Sequence, residues 1–250
     1  MSKLVLVSGA GRGLGASIAE SFIDSGYRVA INYSSSKEKA EDLSARLGDS
    51  AKSFKADITD ADQVLGMCDE IYSQFGVYPA VIINNAMANY VFNGDLRKKA
   101  EEISWKEMQD HIDVTIKGSL NLIQALVPRM KEEKFGRVIN IGTNLVQNPV
   151  VPYHDYTIAK GGLLALTRTF AKDLGQYGIT VNMVSGGLLK VTDASAATPD
   201  EVFEAIAQMT PLQKVTTVKD LADAVVFFAS DASRAITGQN LTVDGGLTFN

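Results

Sequence analysis

Cysteine is nearly absent from this sequence: Cys68 is the only one among 250 residues. That excludes an intramolecular disulfide framework and fits a reducing compartment such as the cytoplasm. Cys68 itself lies between apolar helical positions in "QVLGMCDEIY" and reads as core packing rather than as a reactive thiol. Histidine is almost as scarce, and His111 and His154 alone argue against a zinc cluster. Dense basic runs are missing too. The net charge is −5, and the strongest basic spot, Arg97-Lys98-Lys99, is followed by Glu101 and Glu102, so it reads as a solvated loop. Neither nucleic acid nor an anionic membrane is expected as a partner. No stretch approaches the roughly 20 apolar residues of a membrane span. The N-terminal run "LVLV" is four residues long before it breaks into glycines, which suits a first strand and not a signal peptide. No Pro/Ser-rich linker, composition shift or repeat divides the chain, so residues 1–250 are expected to form one domain.

What is present is an alternation of two periods. "LVLVS", "RVAIN", "AKSFKA", "AVIIN", "GRVINIG", "ITVNMV" and "NLTVD" read as strands, and 16–25, 37–47, 61–75, 104–131, 155–177 and 218–229 carry helical periodicity. That order predicts an α/β fold with a doubly wound parallel sheet of about seven strands, covered by helices on both faces. Two segments break the alternation, 86–103 and 186–210. Both leave the carboxyl ends of strands, where open α/β sheets bind ligands, and both are candidate substrate-covering loops.

The first strand runs into Ser8-Gly9-Ala10-Gly11-Arg12-Gly13-Leu14-Gly15 and then a helix. Glycines in such a turn let backbone N–H groups approach a pyrophosphate at the positive end of the helix. The spacing is G-x-x-x-G-x-G and not the strict G-x-G-x-x-G, because position 14 is Leu. At the first β–α junction of a doubly wound pattern it predicts a dinucleotide site. The second strand ends Asn32-Tyr33-Ser34-Ser35-Ser36-Lys37, with no acid before Glu38 to repel a 2′-phosphate. Arg12, the serine hydroxyls and Lys37 can meet that phosphate, so NADP(H) is the expected cofactor.

A tyrosine four residues before a lysine occurs twice, in "YSSSK" at 33–37 and in "YTIAK" at 156–160. The first straddles the loop after the second strand, at the adenosine end of the cofactor, far from any nicotinamide. The second is therefore the candidate proton donor.

Over essentially its whole length the chain resembles the short-chain dehydrogenase/reductase family, through the glycine turn, Asp57 in "ADITD", "NNA" at 84–86, "GRVINIG", "YTIAK" and "ITGQNLTVDGG". It is most similar to the 3-oxoacyl-acyl-carrier-protein reductases, in "INYSSSKEKAE" and "PLQKVTTVKDLADAVVFFAS". The resemblance implies a Rossmann-like, three-layer α/β/α fold and NADPH-dependent reduction of a carbonyl, on a small molecule or carried by an acyl carrier protein. It implies Tyr156 as the acid and Lys160 as the cation that lowers its pKa and holds the nicotinamide ribose. It places the oxygen-binding hydroxyl, thirteen residues before Tyr156, at Thr143 in place of serine, and the proton-relay asparagine at Thr115 in "DVTIKG". Besides Tyr156 and Lys160, the cofactor would meet Gly9, Arg12, Gly13, Leu14, Gly15, Tyr33, Ser34, Ser35, Asp57, Ile58, Asn85, Ala86, Gly187 and Leu189. The helices 104–131 and 155–177 would form the interface of a homotetramer or homodimer. Met87, Gly186 and Val191 depart from the family's usual residues at substrate-facing loops. His154 and Asp155 are expected at helix entry, with Asp155 favouring the positive end of the dipole. Two alternatives stay open: reduction of another ketone, diketone or quinone, and a dinucleotide-binding protein without turnover.

Overall fold

The fold is seen in a computed structural model that describes residues 3–88, 90–190, 192, 195–196 and 198–249. Seven strands, β1 (Leu4–Val7), β2 (Arg28–Tyr33), β3 (Ala51–Lys55), β4 (Val81–Asn84), β5 (Gly136–Thr143), β6 (Ile179–Gly186) and β7 (Asn240–Val243), form one sheet. Its order is β3-β2-β1-β4-β5-β6-β7, and every pairing is parallel. The strand order reverses direction between β1 and β4, which opens a crevice at their carboxyl ends.

Strand alternation divides the core in two. Val5 and Val7 of β1 face one layer, with Ile18 and Phe22 of α1 (Gly13–Asp24), Leu43 of α2 (Lys37–Leu47) and Val225 and Phe228 of the C-terminal helix Val218–Ala229. Leu4 and Leu6 face the other, with Ile71 of α3 (Ala61–Phe75), Leu122 and Leu126 of the helix Gly118–Glu133 and Leu174 at the end of the helix His154–Leu174. Cys68 is buried in this second layer, and burial pushes its thiol up to about 12, the behaviour of a packing residue.

Helix starts follow side-chain chemistry. Asp60 accepts from the N–H groups of Asp62 and Gln63 to cap α3, and Ser104 forms a capping box with Glu107 at α4 (Trp105–Ile112). The segment expected as one helix over 104–131 is divided: α4 passes into a π-helical turn, Asp113–Lys117, before α5 (Gly118–Glu133). π turns inside helices recur at functional sites. α6 is His154–Leu174. The segment 186–210, expected as a loop, contains α7 (Asp200–Met209), which follows Pro199 and opens with Asp200 and Glu201. α8 (Val218–Ala229) starts at the Thr217–Asp220 capping box. No helix among the described residues is long and apolar enough to cross a membrane, and no cluster there could hold a metal ion.

Candidate active site and cofactor cradle

β5 delivers Thr143 to its carboxyl end, and α6 presents Tyr156 and Lys160 one turn apart on its buried face. The Thr143 hydroxyl is hydrogen-bonded to the Tyr156 side chain and accepts from the N–H of Leu145 at 3.3 Å. Lys160 Nζ donates to the carbonyl of Ile141 at 2.7 Å. Three of the four predicted catalytic residues are thus brought together. The fourth, Thr115, lies buried in the π turn that packs against α6, and its hydroxyl has no hydrogen-bond partner among the described residues.

The electrostatics differ from the expectation. Burial pushes the Tyr156 hydroxyl up to about 12, with only the Thr143 hydrogen bond opposing. Burial also brings Lys160 down to about 8, so it still carries its charge at neutral pH. Lys160 was expected to make the tyrosine more acidic, but its ammonium is 5.8 Å from the ring centre and spends a donor on Ile141. Desolvation of the phenolate sets the direction of the shift, and a cation at that distance does not reverse it.

The cause of that desolvation is a strap formed by the segment after β4. Tyr90 stacks on Tyr156 with ring centres 5.5 Å apart, and Phe92 meets the same ring edge-on at 5.4 Å. Tyr153, Met87, Leu145 and Val151 complete the apolar cluster. The strap is latched to the start of α6. Asp155, in the first turn of α6 as expected and buried there, accepts from Arg97 at 2.8 Å and from the Tyr90 hydroxyl at 3.3 Å, while Gly94 N–H donates to the Tyr153 hydroxyl at 2.7 Å. Arg97 also lies 4.2 Å over the Tyr90 ring. The basic triplet is therefore not simply a solvated loop: its first member is an ion-pair latch. His111 of α4 is enclosed by the same residues, with Nε2 3.7 Å from Asp155 and its ring edge-on to Tyr90 and Tyr156.

Beside this cluster the glycine turn is shaped as a cradle. Gly9 and Gly13 adopt left-handed φ of 62° and 56°, which L side chains rarely take. A Cβ on Gly15 would sit 2.6 Å from both Asn85 Nδ2 and the Gly9 carbonyl. Asn85 holds the turn from behind, donating to the carbonyls of Ser8 at 2.9 Å and Gly9 at 3.2 Å, and the N–H groups of Asn85 and Ala86 donate to the Ser8 hydroxyl. Arg12 occupies the N-cap of α1, whose first turn holds Leu14 and no acid, so the positive end of the helix faces the turn. Ser34 and Ser35 are exposed at the end of β2, whereas Tyr33 is packed in the core and Lys37 pairs with Glu41 at 3.7 Å. The Tyr33–Lys37 pair is thus split between interior and surface. Asp57 accepts from the N–H and hydroxyl of Thr59, Ile58 is buried with its carbonyl held by Asn121, and Gly187 backs onto Asn144 and Asp244. Leu189 accepts from the Ser195 hydroxyl at the start of the 186–210 segment, and Val191 lies outside the described residues. Left-handed glycines, a close backbone approach and the positive end of α1 fit a dinucleotide. We expect Gly15→Ala to destabilise the fold by about 1–3 kcal/mol through overpacking and to weaken dinucleotide binding in parallel, measured by urea unfolding and by NADPH fluorescence titration.

A family model described as enoyl-(acyl carrier protein) reductase matches residues 9–248. The chain belongs to the short-chain dehydrogenase/reductase family. It is 38% identical over 252 residues to the 3-oxoacyl-[acyl-carrier-protein] reductase FabG of Staphylococcus aureus, covering 99% of this chain and 98% of that protein. It is 36% identical over 251 residues to the protein of the same name from Staphylococcus epidermidis, with 99% of each covered. To that of Haemophilus influenzae it is 32% identical over 245 residues, with 98% of each covered.

As a short-chain dehydrogenase/reductase, this chain is an oxidoreductase with an α/β fold of seven parallel strands. Sequence reasoning missed the strap residues Tyr90, Phe92 and Arg97 and the partners they meet, His111 of α4 and Asp155 of α6. They lie up to 65 positions apart and meet only in three dimensions, as in the Tyr90–Asp155 hydrogen bond. Asp155 beside the candidate tyrosine was the one local signal, and its partner could not be read from spacing.

Proposed function

We propose that this short-chain dehydrogenase/reductase reduces the 3-oxo group of acyl thioesters to the 3-hydroxy product with NADPH. The observation that carries the reading is the Thr143–Tyr156–Lys160 arrangement at the carboxyl end of β5, next to the glycine turn. When bound, the nicotinamide supplies the hydride. Tyr156 gives its hydroxyl proton to the carbonyl oxygen, as general acid. Thr143 steers that oxygen with the hydroxyl that now contacts Tyr156, a task for which threonine keeps the donor and acceptor of serine. The Lys160 ammonium stabilises the phenolate left behind. Gly9, Gly13, Leu14, Gly15, Asn85 and Ala86 shape the pyrophosphate cradle, Asp57 and Ile58 border the adenine side, and Gly187 and Leu189 border the nicotinamide side.

Arg12, Ser34 and Ser35 recognise the 2′-phosphate in this reading. Arg12→Glu then lowers kcat/KM with NADPH about tenfold or more relative to NADH, the loss of one charge-assisted contact worth 1.5–3 kcal/mol. Initial rates with the two cofactors measure it.

A second reading has its own observation. Tyr90 and Phe92 packed on Tyr156 leave the site closed and aromatic, which suits a compact ketone, diketone or quinone. A panel of 3-oxoacyl thioesters and free carbonyls, compared by kcat/KM with NADPH, separates the two: thioesters lead in the first reading and trail in the second. The chain is proposed to act as a single domain in the cytoplasm and as a homotetramer or homodimer. Exposed Trp105 on α4 and Ile158 on α6 support pairing of those helices between copies.

A further inference from the structure

A proton that leaves Tyr156 has to be replaced, and the ring is shut off from solvent by Tyr90 and Phe92. Beside it stand two basic groups. One is Lys160, the stabilising cation. The other is His111, which no step so far uses.

His111 is 3% exposed, and its Nδ1 has no hydrogen-bond partner among the described residues. Its Nε2 faces the buried carboxylate of Asp155 at 3.7 Å. Thr115 stands one helical turn further along, also buried, with its hydroxyl unpartnered in the same way. Two orphaned polar atoms four residues apart, each costing about 1–3 kcal/mol if left dry, would both be satisfied by a bridging water. The turn that carries Thr115 packs against α6, the helix of Tyr156 and Lys160. Arg97, bound to Asp155 and partly exposed, brings the cluster to the surface.

We propose that His111 is the proton-relay residue of this site, returning protons to Tyr156 through a water held between its Nδ1 and the Thr115 hydroxyl. The inference rests on the reading of Tyr156 as proton donor. In each turnover Nδ1 gains one proton from solvent through the bridging water, when the site opens to release product, and returns one through the same water to the Tyr156 phenolate, while the Nε2–H stays toward Asp155, whose charge stabilises the transient imidazolium. Protons balance, and the ring returns to the same tautomer. The groups facing His111 set its range: burial lowers its pKa most, Lys160 of α6 and Arg97 of the strap lower it further, and Asp155 of α6 and Asp110 of α4 raise it. It is therefore neutral at rest, as a relay that must accept and release requires.

The test uses NADPH oxidation by acetoacetyl-coenzyme A. His111→Phe keeps the ring contacts with Tyr90 and Tyr156 and removes both nitrogens. It is expected to lower kcat about tenfold or more with KM little changed, and to raise the solvent deuterium isotope effect on kcat. Thr115→Asn in the His111→Phe background, which restores a donor and acceptor one turn away, is expected to return much of the rate. His111→Gln, which keeps an amide, should fall between. A His111→Phe enzyme with wild-type kcat and isotope effect overturns the relay, and so does a loss that neither Thr115→Asn nor the glutamine variant relieves. Tyr156→Phe is the control: if it is inactive while His111→Phe is fully active, the relay alone fails, and if wild type itself does not turn over, the reading of Tyr156 fails with it.

Discussion

Tyr156→Phe is expected to lower the rate of carbonyl reduction by about a thousandfold, within the 10²–10⁴ that a positioned general acid contributes. The protein should remain folded. The hydroxyl is bonded to Thr143, which keeps its contact with the Leu145 N–H, so unfolding free energy should change by no more than about 1 kcal/mol. NADPH binding should weaken far less than turnover does, because the backbone cradle 9–15 is untouched. A pH profile sharpens the prediction. Lys160 has its pKa brought down to about 8 by burial, so its ammonium is present below that value and lost above it. The rate of reduction by the wild type should therefore fall as pH rises past about 8. A rate that climbs steadily through pH 9 would contradict the role given to the lysine.

Removing the latch should have the largest effect on stability. Arg97→Ala leaves the Asp155 carboxylate buried with Tyr90 and His111 as its polar neighbours, and breaking a buried ion pair from one side costs about 3 kcal/mol or more. Urea unfolding measures the loss. Its pH dependence has a definite sign. Arg97 is one of the charges that lower the His111 pKa, and Asp155 raises it, so the variant raises the folded-state pKa of His111 relative to wild type. In the wild type burial holds that pKa below the ordinary value, so His111 detracts from stability at acid pH, and the variant, with a less depressed pKa, loses less there. The deficit should be smaller at pH 5.5, below the ordinary histidine value of 6.5, than at pH 8. Arg97→Ala with Asp155→Asn should recover much of the loss, since no uncompensated charge remains. With the strap loosened, Tyr156 gains solvent and its pKa should fall from about 12 toward that of an ordinary phenol.

Much of the architecture was legible because parallel strands buried on both faces read as plain Val/Ile/Leu runs, as in "AVIIN" and "GRVINIG". Helices 37–47, 61–75 and 218–229 coincide with their sequence limits, the last two with Asp60 and Thr217 as caps. The π turn at 113–117 was not legible, since apolar periodicity runs on through it and only packing against α6 makes it visible. α7 was hidden in a segment read as a substrate-covering loop because it breaks the strand–helix alternation, although Pro199 and Asp200 mark its start. At the site, the spacing of Tyr156 and Lys160 on one helix face was readable, but the sign of the tyrosine's shift was not. Charge can be counted along a chain, whereas the burial that sets the direction of the shift comes from Tyr90 and Phe92, some 65 residues away.

The central claim is that Thr143, Tyr156 and Lys160 together reduce a carbonyl with NADPH. The most direct measurement is the product formed from acetoacetyl thioester and NADPH deuterated at C4 of the nicotinamide. The expected result is a 3-hydroxybutyryl thioester that accumulates in step with NADP+ and carries one deuterium at C3. Tight NADPH binding with no consumption of the cofactor, on this thioester and on every free ketone, diketone and quinone tried, would contradict it.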